Sequence, residues 1–193
     1  MRAFTRHTGR VAVLDRADVD TDQIIPKQFL KRIERTGYGE YLFHDWRQDP
    51  GFELNRPEYA GATVLVAGRN FGCGSSREHA AWALQDYGFE VIVAPSFGDI
   101  FASNAAQIGL IVIRLPEEQV YDLMEARKLT VDLEAQTITD QFGRAVAFDF
   151  DQFRRHMLLN GLDDIGLTLE HEDEIAAFEA PRTGRVDTTA LPV

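Results

Sequence analysis

The chain has 193 residues, 45% hydrophobic and 26% charged, with a formal net charge of −11. That length suits a single domain with a sizeable core, or one domain with a short appendage. The acidic balance argues against nucleic acid or an anionic membrane as partner, and Cys73, the single cysteine, excludes an intramolecular disulfide.

Met1–His7 lacks the apolar run of a secretory signal, and no apolar stretch approaches transmembrane length, so a soluble protein of the reducing cytoplasm is expected. Gly9–Leu14 reads as a first short strand. It runs into a segment with four aspartates, Asp15, Asp18, Asp20 and Asp22. The glycine and terminal glutamate of an EF-hand loop are missing, so a turn closed by Asx-type hydrogen bonds is the expectation there. Pro26 is placed to open a short helix over 27–35. Its Lys31, Arg32 and Arg35 form either a solvated face or a second carboxylate contact. Residues 36–59 are rich in aromatics, glycine and proline, and read as a long loop with short helical turns. Trp46, Phe43 and Phe52 make that loop a candidate interface.

The apolar run Ala62–Ala67 is a buried strand. It leads into Gly68-Arg69-Asn70-Phe71-Gly72-Cys73-Gly74-Ser75-Ser76-Arg77-Glu78-His79-Ala80-Ala81. Helix formers follow up to Tyr87, and Gly88 stops them. Ser75 to Glu78 has the spacing of a capping box, with Ser75 as N-cap. A helix N-terminus presents unpaired N–H groups, Gly72 and Gly74 allow close approach of the backbone, and Arg77 carries a planar fork suited to a carboxylate. Together they read as a small-anion site bearing two hydroxyls. The bland alternative is a capped helix with a solvated arginine. Phosphate would fit as well, but no Gly-x-x-x-x-Gly-Lys-Ser/Thr pattern exists, which argues against a nucleotide P-loop.

Glu90–Ala94 and Leu110–Ile113 are two further buried strands, separated by a helix over Ile100–Gln107 that is capped by Ser96–Asp99 and stopped at Gly109. Strand and helix alternating in this order imply parallel pairing with right-handed crossovers, and a ligand site at the carboxyl ends of the strands. A helix from Pro116 to about Lys128 precedes three short antiparallel strands, Thr130–Leu133, Gln136–Thr139 and Arg144–Phe148. A last helix spans Asp151–Asn160, the chain turns acidic from Glu170, and about 180–193 reads as a flexible tail. One domain over 1–193, of class α/β with a mainly parallel central sheet and a smaller antiparallel sheet, is expected.

Gly72–Ala80, followed by Ala94-Pro95-Ser96-Phe97 and Asn104, resembles the swivelling domain of the aconitase superfamily. Asp20-Thr21-Asp22-Gln23-Ile24-Ile25-Pro26 and Phe29-Leu30-Lys31-Arg32 narrow the resemblance, over about 1–175, to small subunits of isopropylmalate isomerase (3-isopropylmalate dehydratase). The resemblance implies a swivelling β/β/α domain and a hydro-lyase reaction of leucine biosynthesis that dehydrates and rehydrates a hydroxy-dicarboxylate. It also implies a [4Fe–4S] cluster, which one cysteine cannot hold and which is therefore expected on a large subunit. The chain alone is then catalytically silent. By the same resemblance Ser75 is the base, Ser76 and Arg77 bind substrate carboxylate, Thr21 and Asp22 line the site, and Arg32 or Arg35 adds a contact above it. A helix N-terminus contributes roughly 0.3–2 kcal/mol, about one pKa unit, so a serine base needs further cations in a closed site. Cys73 stands where aconitases typically carry an acid, which favours the isopropylmalate branch. Its alternatives are a small loop residue or a thiol whose pKa a helix N-terminus lowers. His79 is expected to pack within its helix. Competing readings are the same reaction on citramalate or methylmalate, or a non-catalytic anion-binding module.

Overall fold

The computed structural model describes residues 1–31 and 36–181; Arg32, Arg35 and the expected tail beyond 181 lie outside them. The strands and helices run β1 (Arg6–Leu14), α1 (Thr21–Ile24), β2 (Val64–Ala67), α2 (Glu78–Tyr87), β3 (Val91–Ala94), α3 (Asp99–Ile108) and β4 (Ile111–Arg114). They continue as α4 (Glu117–Met124), β5 (Lys128–Asp132), β6 (Thr137–Asp140), β7 (Ala145–Ala147), α5 (Gln152–Asn160), α6 (Asp164–Leu169) and α7 (Glu172–Glu179). One sheet contains all seven strands in the order β4-β3-β2-β1-β5-β6-β7.

Strand β1 belongs to both halves of that sheet. Its Val11–Leu14 pair in parallel with Val64–Ala67, whereas its Arg6–Arg10 pair antiparallel with Lys128–Asp132. The expected smaller antiparallel sheet is thus fused to the parallel one through a single strand. β1 also begins earlier than Gly9, because its polar first residues carry no alternation that would mark them as strand.

Alternation along the parallel strands divides the core in two. Leu65, Ala67, Ile92 and Ala94 face one cluster with α2, α3 and the buried aromatics. Val64, Val66, Val91 and Val93 face the other, shared with Leu129, Val131, Ile138 and Leu158. Both faces are covered, as a parallel sheet requires. The antiparallel strands close over the second face and curl the sheet.

Residues 39–59 form four short 3₁₀ turns, Gly39–Tyr41, Trp46–Gln48, Glu53–Asn55 and Pro57–Tyr59. Tyr38, Leu42, Phe43 and Phe52 are fully buried in the first core, so the aromatic loop is core and not an exposed interface. The Arg16 guanidinium lies 4.6 Å from the Trp46 ring and donates to both carboxylate oxygens of Glu53 at 3.0 and 2.9 Å. A cation placed over an aromatic face and paired with a carboxylate pins this loop to the end of β1.

Helices α2, α3 and α5 end as expected, on Gly88, Gly109 and Gly161 in the left-handed region. Helix α4 is shorter than expected, because β5 claims the chain from Lys128. Ser96 does not cap α3: its hydroxyl accepts from the Asn70 N–H at 2.8 Å, and Gly98 stands at the N-cap. Two further helices, α6 and α7, occupy the acidic segment that sequence patterning leaves blank.

The loops after β2 and β3 touch backbone to backbone. Phe71 bridges Phe97, and the Gly98 N–H donates to the Phe71 carbonyl at 2.9 Å. Gly72 sits at φ +72°, where a Cβ would meet the Phe101 ring at 2.3 Å. Gly72→Ala is therefore expected to cost about 2 kcal/mol or more, from the left-handed backbone and from overpacking. Urea unfolding followed by circular dichroism reads this as a lower midpoint at unchanged slope.

Candidate active site

Two strand-end loops build the site by pairing with each other. The N–H groups of Gly72 and Cys73 donate to the Val19 carbonyl at 2.7 and 3.2 Å, and the Thr21 N–H donates to the Cys73 carbonyl at 2.9 Å. The Thr21 hydroxyl donates to the Ser75 carbonyl at 2.9 Å. Thr21 is only 2% exposed, so it braces the serine loop from behind and does not open onto solvent.

A capping box exists here, at a different place from the one the spacing of Ser75 and Glu78 suggests. The Asp20 carboxylate accepts from the Gln23 N–H at 2.8 Å, while the Gln23 side chain accepts from the Asp20 N–H at 2.9 Å. Asp20 thereby starts α1, and the aspartate-rich segment is a helix entry in place of the expected Asx-closed loop. Asp18 accepts from the Asn70 side chain at 2.8 Å.

Helix α2 starts at Glu78 with Arg77 at the N-cap and no side-chain cap bond, so Ser75 is not the N-cap. Gly74, at φ +90°, turns the chain, and the Thr21 hydroxyl has already claimed the Ser75 carbonyl. Ser75 and Ser76 are left exposed ahead of the helix. Among the described residues neither hydroxyl has a hydrogen-bond partner, and the N–H groups from Ser75 to His79 donate to no other group. Unclaimed N–H groups at a helix start favour an anion.

Arg77 is fixed in the middle of this surface. Its Nη2 donates to Asp22 Oδ2 at 2.6 Å, its Nη1 to Asp22 Oδ1 at 2.5 Å, and Nη1 also reaches the Ile25 carbonyl at 3.4 Å. The hydrogen bond from Arg77 holds the Asp22 carboxyl below its ordinary pKa, against a smaller opposing effect of burial. With the end-on edge of the fork taken, the Nε and outer Nη2 protons remain. That side-on edge has the geometry of a bidentate carboxylate seat.

Cys73 lies in the paired loop. Burial, then the charges of Asp20 and Asp18, raise its thiol pKa, which goes against the alternative of a thiol lowered by a helix N-terminus. His79 packs edge-on against Tyr38, with ring centroids 5.1 Å apart, and lies 4.6 Å from Trp82. Among the described residues no group of three or more His, Cys, Asp or Glu is placed to hold a metal. A single half-buried thiol does not fit the donor set of an iron–sulfur cluster.

Residues 1–118 match the aconitase C-terminal domain, and the fold accordingly belongs to that class. Residues 164–185 match the C-terminal domain of the small subunits of 3-isopropylmalate dehydratase. A 3-isopropylmalate dehydratase small subunit of Acidobacterium capsulatum is 57% identical over 191 residues, covering 96% of this chain and 93% of that protein. One from Bacillus licheniformis is 58% identical over 194 residues, covering 95% and 98%. A crystal structure of a 3-isopropylmalate dehydratase from Methanocaldococcus jannaschii superposes with a TM-score of 0.68 at 28% identity, over 90% of this chain and 99% of that one. The chain belongs to the family of 3-isopropylmalate dehydratase small subunits, as its motifs led us to expect.

Burial lowers the His79 pKa below 6.5, outweighing the neighbouring Glu78 charge. The folded chain therefore takes up this proton less readily than the unfolded one. Stability from this residue is complete above about pH 6.5 and is lost as pH falls toward the folded value. Melting temperatures measured from pH 7.5 to 5.5 are expected to fall less steeply for His79→Gln than for the parent chain.

Proposed function

We propose that this chain supplies the proton-handling and carboxylate-binding half of a 3-isopropylmalate dehydratase active site, completed by a large iron–sulfur subunit. The observation that carries the proposal is the juxtaposition of two unpartnered serine hydroxyls with an anchored guanidinium and a run of unclaimed N–H groups. The substrate is 2-isopropylmalate and its 3-isomer, the acid–base chemistry that of a cytoplasmic enzyme of leucine biosynthesis acting on neither nucleic acid nor membrane. Among the described residues, no helix is long and apolar enough to cross a membrane.

Each residue has one task in this reading. A substrate carboxylate lies against the side-on edge of Arg77, and the Ser76 hydroxyl donates to a second lone pair on one of its oxygens. Ser75 Oγ removes the proton from the carbon next to that carboxylate, and returns it in the reverse direction. A carbon acid of this kind is acidified when its carboxylate is held by cations and hydrogen-bond donors, because the developing negative charge spreads onto those oxygens. The same N–H groups favour the alkoxide of Ser75. Thr21 and Asp22 act at one remove: Thr21 fixes the serine loop, and Asp22 holds the Arg77 plane. Arg32 or Arg35, which lie outside the described residues, is the candidate for a further contact with substrate carboxylate. Departure of the hydroxyl needs a Lewis acid that these residues do not contain, and the large subunit is the source assigned to it.

Activity on 2-isopropylmalate, measured for this chain, for the large subunit and for the mixture, tests the reading. Only the mixture is expected to turn over. Ser75→Ala should lower kcat by about 10²–10⁴-fold, the range for loss of a general base, with KM little changed. Arg77→Lys should chiefly raise KM, since an ammonium cannot offer two parallel donors. Full activity with Ser75→Ala would remove the serine from its role. Turnover of methylmalate in place of isopropylmalate would change the substrate.

A further inference from the structure

The C-terminal arm carries nothing of the core, yet it is built to be covered. Its root is fixed: the Met1 amine donates to the Gly161 carbonyl at 3.1 Å, and the Phe4 N–H donates to the Leu158 carbonyl at 2.8 Å. Beyond that root, neither α6 nor α7 buries a single residue. Ile165 and Leu169, one turn apart on α6, are 70% and 58% exposed. Ile175 and Phe178, three apart on α7, are 38% and 59% exposed. Helices of six and eight residues are too short to persist in water on propensity alone. Their stability has to come from packing.

The charge of the arm says what packs there. Of the 17 residues from Asp163 to Glu179, seven are Asp or Glu and none is Lys or Arg. His156 of α5 approaches Glu170 of the arm at 3.4 Å. A second copy of this chain would bring seven more acids against these, and like charges facing each other are costly. An apolar stripe framed by acids fits an apolar groove rimmed by Lys and Arg.

We propose that α6 and α7 form the docking arm of this chain for its large subunit, laying Ile165, Leu169, Ile175 and Phe178 into a basic-rimmed apolar groove of that partner. The proposal rests on the two-subunit reading above, and adds where the subunits grip each other. Segment 164–185 is matched as a unit in the small subunits of the family, which suits a device for assembly more than one for catalysis. Amphipathic helices commonly dock this way, with anchors spaced three and four residues apart. The arm is also separate in sequence from every residue assigned to chemistry. Grip and catalysis can therefore fail independently.

The test titrates the full-length chain against the large subunit by calorimetry. One variant combines Ile165→Ala, Leu169→Ala, Ile175→Ala and Phe178→Ala; a second combines Asp173→Lys and Glu174→Lys. The apolar variant is expected to bind at least about tenfold more weakly, as loss of several interface anchors does. The charge variant should bind more weakly and lose most of its salt dependence. Melting temperatures of the free variants should match the parent, because none of these side chains is buried, and kcat at saturating large subunit should be unchanged. Parent-like affinity for both variants overturns the proposal and leaves the two-subunit enzyme intact. A free chain that is dimeric, and becomes monomeric with the apolar variant, overturns it in favour of self-association. A parent chain that never binds the large subunit overturns the two-subunit reading itself.

Discussion

Everything at the strand ends depends on the pairing of Val19–Thr21 with Gly72–Ser75. The two segments follow neighbouring parallel strands, so sheet register brings them side by side, but hydrogen bonds between them fix their separation. Arg77 and Asp22 are 55 residues apart in sequence and make a bidentate contact only because this seam is closed. A third loop, after β3, braces the second through the Phe71–Phe97 bridge and the Gly98 N–H, which donates to the Phe71 carbonyl. Glycines occupy the crossings where no Cβ fits: one added at Gly98 would lie 2.4 Å from the Gly72 carbonyl oxygen, and one at Gly68 would lie 2.4 Å from that of Arg16. A rigid site is thus assembled from loops, with secondary structure behind it and backbone hydrogen bonds across it.

What could be read from the residues divides along physical lines. Buried parallel strands are near-continuous apolar runs, and the stretches at 62–67, 90–94 and 110–113 announce β2, β3 and β4 within a residue or two. Glycines at 88, 109 and 161 mark helix ends because local sterics alone decide them. Helix starts are harder to place. A Ser-x-x-Glu pattern at 75–78 and an Asp-x-x-Gln pattern at 20–23 are locally equivalent, and only tertiary bonds settle which of them caps. The residue types of the serine loop carry the anion-site reading proposed above, whereas the engagement of Thr21 with Ser75 and of Asp22 with Arg77 was not legible. Both are long-range contacts that no spacing encodes. Helices α6 and α7 escaped notice for the opposite reason: they bury nothing, so their apolar residues form no stripe long enough to stand out from an acidic background. At Cys73 burial and the charges of Asp20 and Asp18 raise the thiol pKa, although a helix starts a few residues on.

The electrostatics of the site run against those of the chain as a whole. A net charge of −11 repels dianions at long range, and three aspartates, Asp18, Asp20 and Asp22 of α1, stand beside the site. Two of those three are occupied: Asp20 by its helix entry, and Asp18 by Asn70. The third, Asp22, is paired with Arg77, so that a largely buried cation is held by a carboxylate that stays half-exposed. A pair of this kind contributes little to stability and much to orientation. The local field is then set by unclaimed N–H dipoles and by the outer edge of one guanidinium.

Holding that guanidinium at three of its protons also fixes its plane. A carboxylate seated on the remaining edge must lie in the same plane, which aims the bond to its neighbouring carbon in one direction. Of the two faces of that carbon, one turns toward the serines and the other away. Handedness in the proposed reaction would then originate in an aspartate that never touches the reacting atoms, and a flat, achiral functional group becomes a chiral selector by being clamped from one side.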